Sequence, residues 1–506
     1  MCWLFMVMKK INKNQTELGI RTYDFNVPQD HISRFVADFV EECYPILGIK
    51  EKKKNKKKGG RPSYPPCSML KLLIYAKIDH IESARVIEEM TKYHDIYKFV
   101  CDRIKPSERS IQRYRDELGK YYEVLLQMTL QTAVKKGFTE FNHVAIDGTI
   151  KKAHNSNQNM ISKKETNLLV KYYKGLEVDP QKLEKLNKPA QKILNDTEMS
   201  DNEKLELLYD IRTQFKFTGQ DKIPMNDIEA RMMKGKKGNF LVAYNVQSAV
   251  DYDTKLICAL NVTQNPTDHY QLPEVADKAI NNMGKVPKYM SADTIYLNQI
   301  SLSYFIDKGI DGLIPTRKQS KEKIGQLNPK QFYKDHFFYI SDLDLFMCPA
   351  GQPMYFYKEY TEKNEDPEKP DKIKRLYNNY YACKHCIHRE SCLTEKQTHK
   401  TITENGGRLE RVMFFKMEKE EYKKEFSKRP CVEGPFGIFK EQYHIDQEIV
   451  IGMVKTEERL NLDAVAYNIK RLYNLIQGEQ NNKEDIIDFC ESISSTHQLK
   501  LDVNIY

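Results

Sequence analysis

Three acidic residues in this chain stand where they could do metal-assisted chemistry. Asp147 closes the apolar run of FNHVAIDGT (Phe141 to Thr149), whose β-branched residues Val144 and Ile146 predict a buried strand. That strand would deliver one carboxylate at its end, and Gly148 would let backbone or ligand approach closely. Asp-Gly is equally a common turn dipeptide, so the stretch alone also reads as a strand running into a turn. Asp293 repeats the pattern, ending the short apolar segment from Lys288 to Ala292. Mg²⁺ prefers oxygen ligands and is held by one or two carboxylates with substrate phosphates. Two such ions serve phosphoryl transfer by activating the attacking oxygen and stabilising the leaving one. A third carboxylate is then expected, and Glu433 in RPCVEGPFGIFK (Arg429 to Lys440) fits best. A helix from Glu433 would return Lys440 to the same face after two turns. Pro430 and Pro435 argue against one helix through Arg429, Glu433 and Lys440, and favour a start near Pro435.

A second chemical cluster lies between Asp293 and Glu433, in a segment too long for a plain loop. Cys348, Cys383, Cys386 and Cys392 could close a tetrahedral structural Zn²⁺ site, with His385 and His388 as substitute ligands. Reduced, buried thiols or a lost site are the other reading. The basic residues around them (Lys372, Lys374, Arg375, Lys384, Arg389) suit a DNA-facing insertion or an ordinary surface.

The elements that must position these groups follow from the rest of the chain. Its 506 residues suggest several domains. A 40% hydrophobic content supports real cores, and the net charge of +9 permits a nucleic-acid partner without requiring one. Eleven Cys in so long a chain do not suggest a secreted disulfide scaffold. No stretch reaches the length of a membrane span, and the opening MCWLFMVMKK has the charge order opposite to a secretory signal. A cytoplasmic protein with no membrane partner is expected.

Residues 1–50 predict a helical segment in which Asp30 caps a stripe of Ile32, Phe35, Val36, Phe39 and Val40. Residues 51–62 form a Lys-rich linker, either a solubilising loop or a phosphate-contacting tether. Residues 63–140 read as helices: one after Pro65 and Pro66, one capped by Ser83, and a long one from Ser107 to Gly137. Arg109, Arg113 and Arg115, with Ser110 and Gln112, lie early in the last. That suits a helix-turn-helix-like DNA reader contacting phosphates, or a bundle with a solvated basic face. Residues 141–320 then read as strand-Asp, a helical insertion at about 151–235, strand, strand, helix, strand-Asp, helix, strand. The cysteine insertion spans 321–400, the Glu433 segment 401–475, and a tail 476–506. In a mixed α/β sheet, ligands gather at strand ends.

The set AIDGT, SADTIY and RPCVEGPFGIFK resembles the DDE transposases of bacterial insertion sequences. The third block is similar to their motif Tyr-x2-Arg-x3-Glu-x6-Lys, with Phe426, Arg429, Glu433 and Lys440 at its spacing and Phe426 in place of the Tyr. DIEARMM, YNVQSAVD, QNPTDHYQLPEV and LDAVAYNIKRL resemble the subgroup with an N-terminal helical transposase domain. The resemblance covers roughly residues 60 to 475. It implies an all-α DNA-binding region before an α/β ribonuclease-H-like catalytic domain interrupted by insertions. It implies that Asp147, Asp293 and Glu433 bind two Mg²⁺ ions, with Mn²⁺ as a substitute, for cleavage at an element end and transfer of the freed 3′ hydroxyl to target DNA. Arg429 and Lys440 would contact phosphates or hold the acidic cluster. Asp268 and His269 would stand at the site or in a surface turn. The implied partners are terminal inverted repeats, target DNA and a second copy of the chain, in the bacterial nucleoid. A nuclease of the same fold that does not join, and a domesticated protein that only binds DNA, are the rival readings.

Overall fold

Helical periodicity dominates the start of the chain. The computed structural model describes residues 26–50, 63–235, 238–315, 332, 336–363, 371–405, 407–442 and 450–479. The N-terminal residues, the Lys-rich linker and the tail beyond 479 carried expectations that lie outside the described residues. Two compact units are present, one up to Arg115 and one from Asp116 onward.

In the first unit, α1 (Ile32–Cys43) buries Phe35, Val36, Phe39, Val40 and Cys43 along one stripe. Its cap is His31, not Asp30: the imidazole Nδ1 accepts the Ser33 N–H at 3.2 Å. The next helix, α2 (Pro66–Ile78), is buried along nearly its whole length and forms the centre of the unit. Ser83 caps α3 (Ala84–Tyr93) as expected, its side chain accepting from the Val86 N–H. His94 then adopts an extended conformation and separates α4 (Asp95–Val100), where one longer helix was expected. The long helix expected from Ser107 to Gly137 is likewise two, α5 (Glu108–Leu118), which reaches the end of the first unit, and α6 (Tyr122–Lys135), which belongs to the second. They part at Gly119, where a Cβ would collide with the Glu458 carboxylate.

The second unit is mixed α/β. Its central strand, β1 (His143–Lys152), leads into an insertion with its own core. The insertion contains β2 (Met160–Ser162), α7 (Lys163–Tyr173), α8 (Pro180–Glu184), α9 (Lys188–Leu194), α10 (Asp201–Thr218) and β3 (Lys222–Pro224). Leu169, Ile193, Leu208, Ile211 and Phe215 pack inside it, and β2 pairs with β3. Capping boxes at Ser162 with Glu165 and at Ser200 with Glu203 start α7 and α10. The chain returns through β4 (Arg231–Lys234), β5 (Phe240–Asp251) and β6 (Ile257–Thr263). After α11 (Leu272–Met283) come β7 (Tyr289–Ser291), α12 (Gln299–Lys308) and β8 (Asp311–Leu313).

β5 lies antiparallel to β1, and both β6 and β4 lie antiparallel to β5 on its other flank. β7 is parallel to β1, and β8 to β7. The motif around Asp227 ties insertion to sheet. Buried Arg231 donates to the Ile228 and Ala230 carbonyls and to the side chains of Gln214 and Gln264. Asp227 accepts the Tyr244 hydroxyl at 2.7 Å.

The cysteine segment folds as a separate five-stranded antiparallel sheet that the sequence reading did not anticipate. Its strands are β9 (Phe338–Ile340), β10 (Leu345–Met347), β11 (Pro353–Glu362), β12 (Lys372–Asn378) and β13 (Thr401–Asn405). Two short helices, α13 (Tyr380–Lys384) and α14 (Arg389–Cys392), sit between β12 and β13. Then α15 (Arg408–Glu418), α16 (Glu420–Phe426) and α17 (Glu433–Gln442) lead to the long α18 (Met453–Glu479). Among the described residues, no helix is long and apolar enough to cross a membrane.

Candidate active site

Asp147 does not end its strand. β1 continues to Lys152, and Asp147 pairs with Ser248 of β5 at mid-strand. What ends there is the neighbour on the other side. β7 pairs through Ala145 with Ser291 and stops, so β1 is open on that flank from Asp147 onward. Two residues beyond that last pair on each chain stand Asp147 and Asp293. The parallel register carries both toward the same level, Asp147 within β1 and Asp293 just past the end of β7. Asp293 is exposed, and its Oδ1 accepts the Thr294 N–H at 2.7 Å at the start of a short 3-10 turn.

Glu433 reaches this level through Arg429. The Arg429 Nη2 lies 3.1 Å from Asp147 Oδ1, a bond across 282 residues of chain. Its Nη1 lies 3.7 Å from Glu433 Oε1. Arg429 is nearly buried, at 15% side-chain exposure, whereas Glu433 is 63% exposed and faces solvent. Residues 429–432 form a 3-10 turn and α17 begins at Glu433 itself, which settles the two prolines without one helix through all three residues. Lys440 lies on the backbone of α17, and its side chain is outside the described residues.

The turn is anchored next to β1 by its neighbours. Val432 is fully buried. His143, at the start of β1, meets Ser291 Oγ through Nε2 at 2.9 Å and Glu425 Oε2 through Nδ1 at 3.4 Å. Lys428 binds the same Glu425 carboxylate at 2.8 Å. Burial lowers the His143 pKa against the pull of Glu425. The imidazole therefore prefers to be neutral. Burial also pushes the Cys431 thiol up to about 11.

A polar network centred on Asp268, whose members Asn245, Gln247 and Tyr296 the sequence did not single out, lies beside the acidic residues. Asp268 Oδ1 accepts from Asn245 Nδ2 at 2.7 Å and from Gln247 Nε2 at 2.6 Å. Gln247 in turn accepts the hydroxyl of Tyr296, which is fully buried. Burial raises the Tyr296 pKa well above its ordinary value, and Asp268, Asp147 and Asp293 push it the same way while Arg429 opposes. A Cβ on Gly148 would meet the Asp268 carboxylate and, at 2.6 Å, Gln247 Nε2. His269 Nδ1 contacts the Ile295 carbonyl at 3.0 Å, tying the Asp268 turn to the Asp293 turn. The signal in the sequence was the pair Asn245 and Gln247, two polar residues on one face of an otherwise apolar strand.

Of the helical arginines, Arg109 and Arg113 are exposed on α5. Arg115 is not available for phosphate contact. It is buried at 4% exposure, and its Nη2 donates to the Glu82 carbonyl at 2.7 Å. Its spacing from Arg109 and Arg113 puts it on the inner face of the helix, a distinction that residue type alone does not make.

Cys348, Cys383, Cys386 and Cys392 line one pocket, together with His388, while His385 is not among the lining residues. Burial raises the Cys392 pKa, Lys400 opposes, and the other three thiols add to the rise. Among the described residues, no group of three or more His, Cys, Asp or Glu is drawn together at metal-holding geometry, neither here nor at the carboxylates.

Two family models match the chain. Residues 21–117 match "Transposase domain (DUF772)" and residues 347–473 match "Transposase DDE domain". The second span includes Arg429, Glu433 and the four cysteines; Asp147 and Asp293 fall outside both. Among solved structures, the chain is similar to a piggyBac transposase synaptic complex with hairpin DNA. The identity is 8%, the match covers 91% of this chain and 78% of that one, and the TM-score is 0.29, too low to carry an argument about fold. No curated protein matches the chain.

Proposed function

We propose that this chain, which matches transposase-domain models over residues 21–117 and 347–473, is an insertion-sequence DDE transposase that cuts and joins DNA at the Asp147, Asp293 and Glu433 carboxylates. The observation that carries the proposal is Arg429. One guanidinium bonds the first acidic residue and pairs with the third, across 282 residues. The strand register, in which Asp147 and Asp293 each stand two residues past the last β1–β7 pair, supports the second member. Two parallel strands beside an antiparallel set, with acidic residues where β7 stops, support a ribonuclease-H-like reading of the sheet.

The donor set suits Mg²⁺ or Mn²⁺: every candidate ligand atom is a carboxylate oxygen, and the groups stand at an open flank of the sheet. Bound there, such ions would stabilise charge on the attacking and leaving oxygens. The chain's own residues do the rest. Asp147, Asp293 and Glu433 would hold the ions. Arg429 keeps Asp147 and Glu433 together and offsets their repulsion, and a phosphodiester oxygen can take up its remaining hydrogen-bonding capacity. Asn245, Gln247 and Tyr296 fix Asp268 beside Gly148, which keeps the floor of the site rigid. Arg109 and Arg113 are proposed as phosphate contacts in the N-terminal domain. Lys440 is proposed as a third cationic contact. Two element ends must be joined to a target, so a homodimer on DNA, acting in the bacterial nucleoid, completes the reading.

The test is an end-joining reaction with the full chain. A labelled duplex carrying the element's terminal repeat is incubated with supercoiled plasmid and Mg²⁺, beside Glu433→Gln. Nicking of the end and its appearance in plasmid, both absent in the variant, are expected. Nicking without joining would replace the proposal with a nuclease. Tight binding with neither reaction would leave a DNA-binding protein only.

A further inference from the structure

Four thiols from three separate stretches converge on one small cavity, outside the carboxylate site. Cys348 follows β10 in the turn Cys348-Pro349-Ala350-Gly351, Cys383 lies in α13, Cys386 just after it, and Cys392 ends α14. The cavity, which they share with Phe332, Phe337 and Lys400 among others, measures about 30 Å³, room for one small cation. All four are free thiols.

We propose that this pocket is a structural Zn²⁺ site with Cys348, Cys383, Cys386 and Cys392 as its ligands. Backbone donors already face two of the sulfurs. The Gln352 N–H points at Cys348 Sγ at 3.4 Å, and the His388 N–H at Cys386 Sγ at 3.4 Å. N–H groups aimed at sulfur stabilise the thiolate, the form that binds metal. The turns that present them are closed by their own bonds. Cys348 N donates to Gln352 O at 2.9 Å, and Gly351, at φ +72°, donates back to Cys348 O at 2.8 Å. Arg389 fastens the other side, its Nη1 donating to the carbonyls of Cys383 and Thr398 and its Nη2 to that of Gln397.

The inserted sheet also needs such a staple. Its core is Phe337, Tyr339, Phe346, Met354, Tyr377 and Ile402. Most of β11 is exposed on both faces. A unit of this size buries little apolar surface, and a metal is a common way to hold one together. Four sulfurs select Zn²⁺ over hard cations. The sulfurs line the cavity without yet meeting at one point, so closure proceeds by rotation of the four side chains. Binding releases four protons, one from each thiol, and leaves the site with a net charge of −2. His388 lines the pocket but is not assigned as a ligand, since its ring is stacked edge-on against Phe332 at 5.7 Å.

The test uses the full chain, purified with a reductant and without chelator. Elemental analysis should give one zinc per chain. Co²⁺ exchanged for it should show intense sulfur charge-transfer bands and the visible spectrum of a tetrahedral S₄ site. Cys383→Ser and Cys392→Ser should lose the metal. His388→Asn and Cys258→Ser, the latter a buried cysteine elsewhere, should keep it. Added Zn²⁺ should slow alkylation of the four thiols in the wild-type chain by about tenfold or more, a readout that does not depend on any variant folding. A chain with no bound zinc and unchanged alkylation rates would overturn the proposal. So would a Co²⁺ spectrum of mixed nitrogen and sulfur that His388→Asn abolishes.

Discussion

At the scale of single residues, Arg429 is the hinge of the account. Its guanidinium is nearly buried between two carboxylates of which only Glu433 is well solvated. Removing it takes away the cation that both carboxylates share and leaves their repulsion less screened. Arg429→Ala is expected to cut end cleavage by about a hundredfold or more, while Arg429→Lys, a point charge without the planar fork, recovers only part. Single-turnover cleavage rates check this. Gly148 makes a steric demand instead. Gly148→Ala places a methyl against Asp268 and Gln247 and should cost about 1–3 kcal/mol of stability, read as a lower urea midpoint. His143 gives a pH signature. Its folded pKa lies below the ordinary 6.5 because burial outweighs Glu425. As pH falls through about 6.5 the unfolded chain takes up the proton first, so stability drops. Burial works to raise Glu425, but Lys428 and His143 together hold it below its ordinary value. Its contribution is therefore present above its unfolded pKa and is lost in acid too. Urea midpoints should fall between about pH 7.5 and 5.5, and His143→Asn should flatten part of that slope. Asp147 and Asp293 stood out in the sequence because each follows an apolar run, and Glu433 through the spacing of its block. Arg115 was not, because a helix face cannot be assigned from residue type without knowing what packs on it.

At the scale of elements, α18 shows how a stretch without chemistry can still be indispensable. Asn468 is fully buried in it. Its Oδ1 accepts the Ile257 N–H at 2.9 Å, and its Nδ2 donates to the Ile257 carbonyl at 3.0 Å and to Thr129 Oγ1 at 2.9 Å. One amide thus satisfies the start of β6, an edge that would otherwise expose backbone groups. Asn468→Ala should cost about 1–3 kcal/mol, seen as a lower thermal midpoint with end-joining chemistry intact at low temperature. The strands and helices from β5 to β8 were readable from alternation and glycine stops to within a residue or two. The sheet from β9 to β13 was not. β11 carries aromatic and charged residues exposed on both faces, so it lacks the period-two pattern that marks a half-buried strand. The need for glycine at 119 was equally hidden, since what faces it is the Glu458 carboxylate on α18, far away in sequence.

At the scale of the whole chain, the carboxylates come from three distant stretches. Asp147 and Asp293 flank the helical insertion and β5, and Glu433 lies beyond the cysteine unit. The proposed chemistry requires these three to meet at one metal-binding place. That can be read without DNA or catalysis. Fe²⁺ is loaded in place of Mg²⁺ on the full chain, peroxide and ascorbate are added, and the radical cuts in the backbone are mapped by mass spectrometry. Cuts clustered near Asp147, Asp293 and Glu433, suppressed together by excess Mg²⁺, are the predicted result. Cuts near Asp147 and Asp293 with none near Glu433 would contradict it.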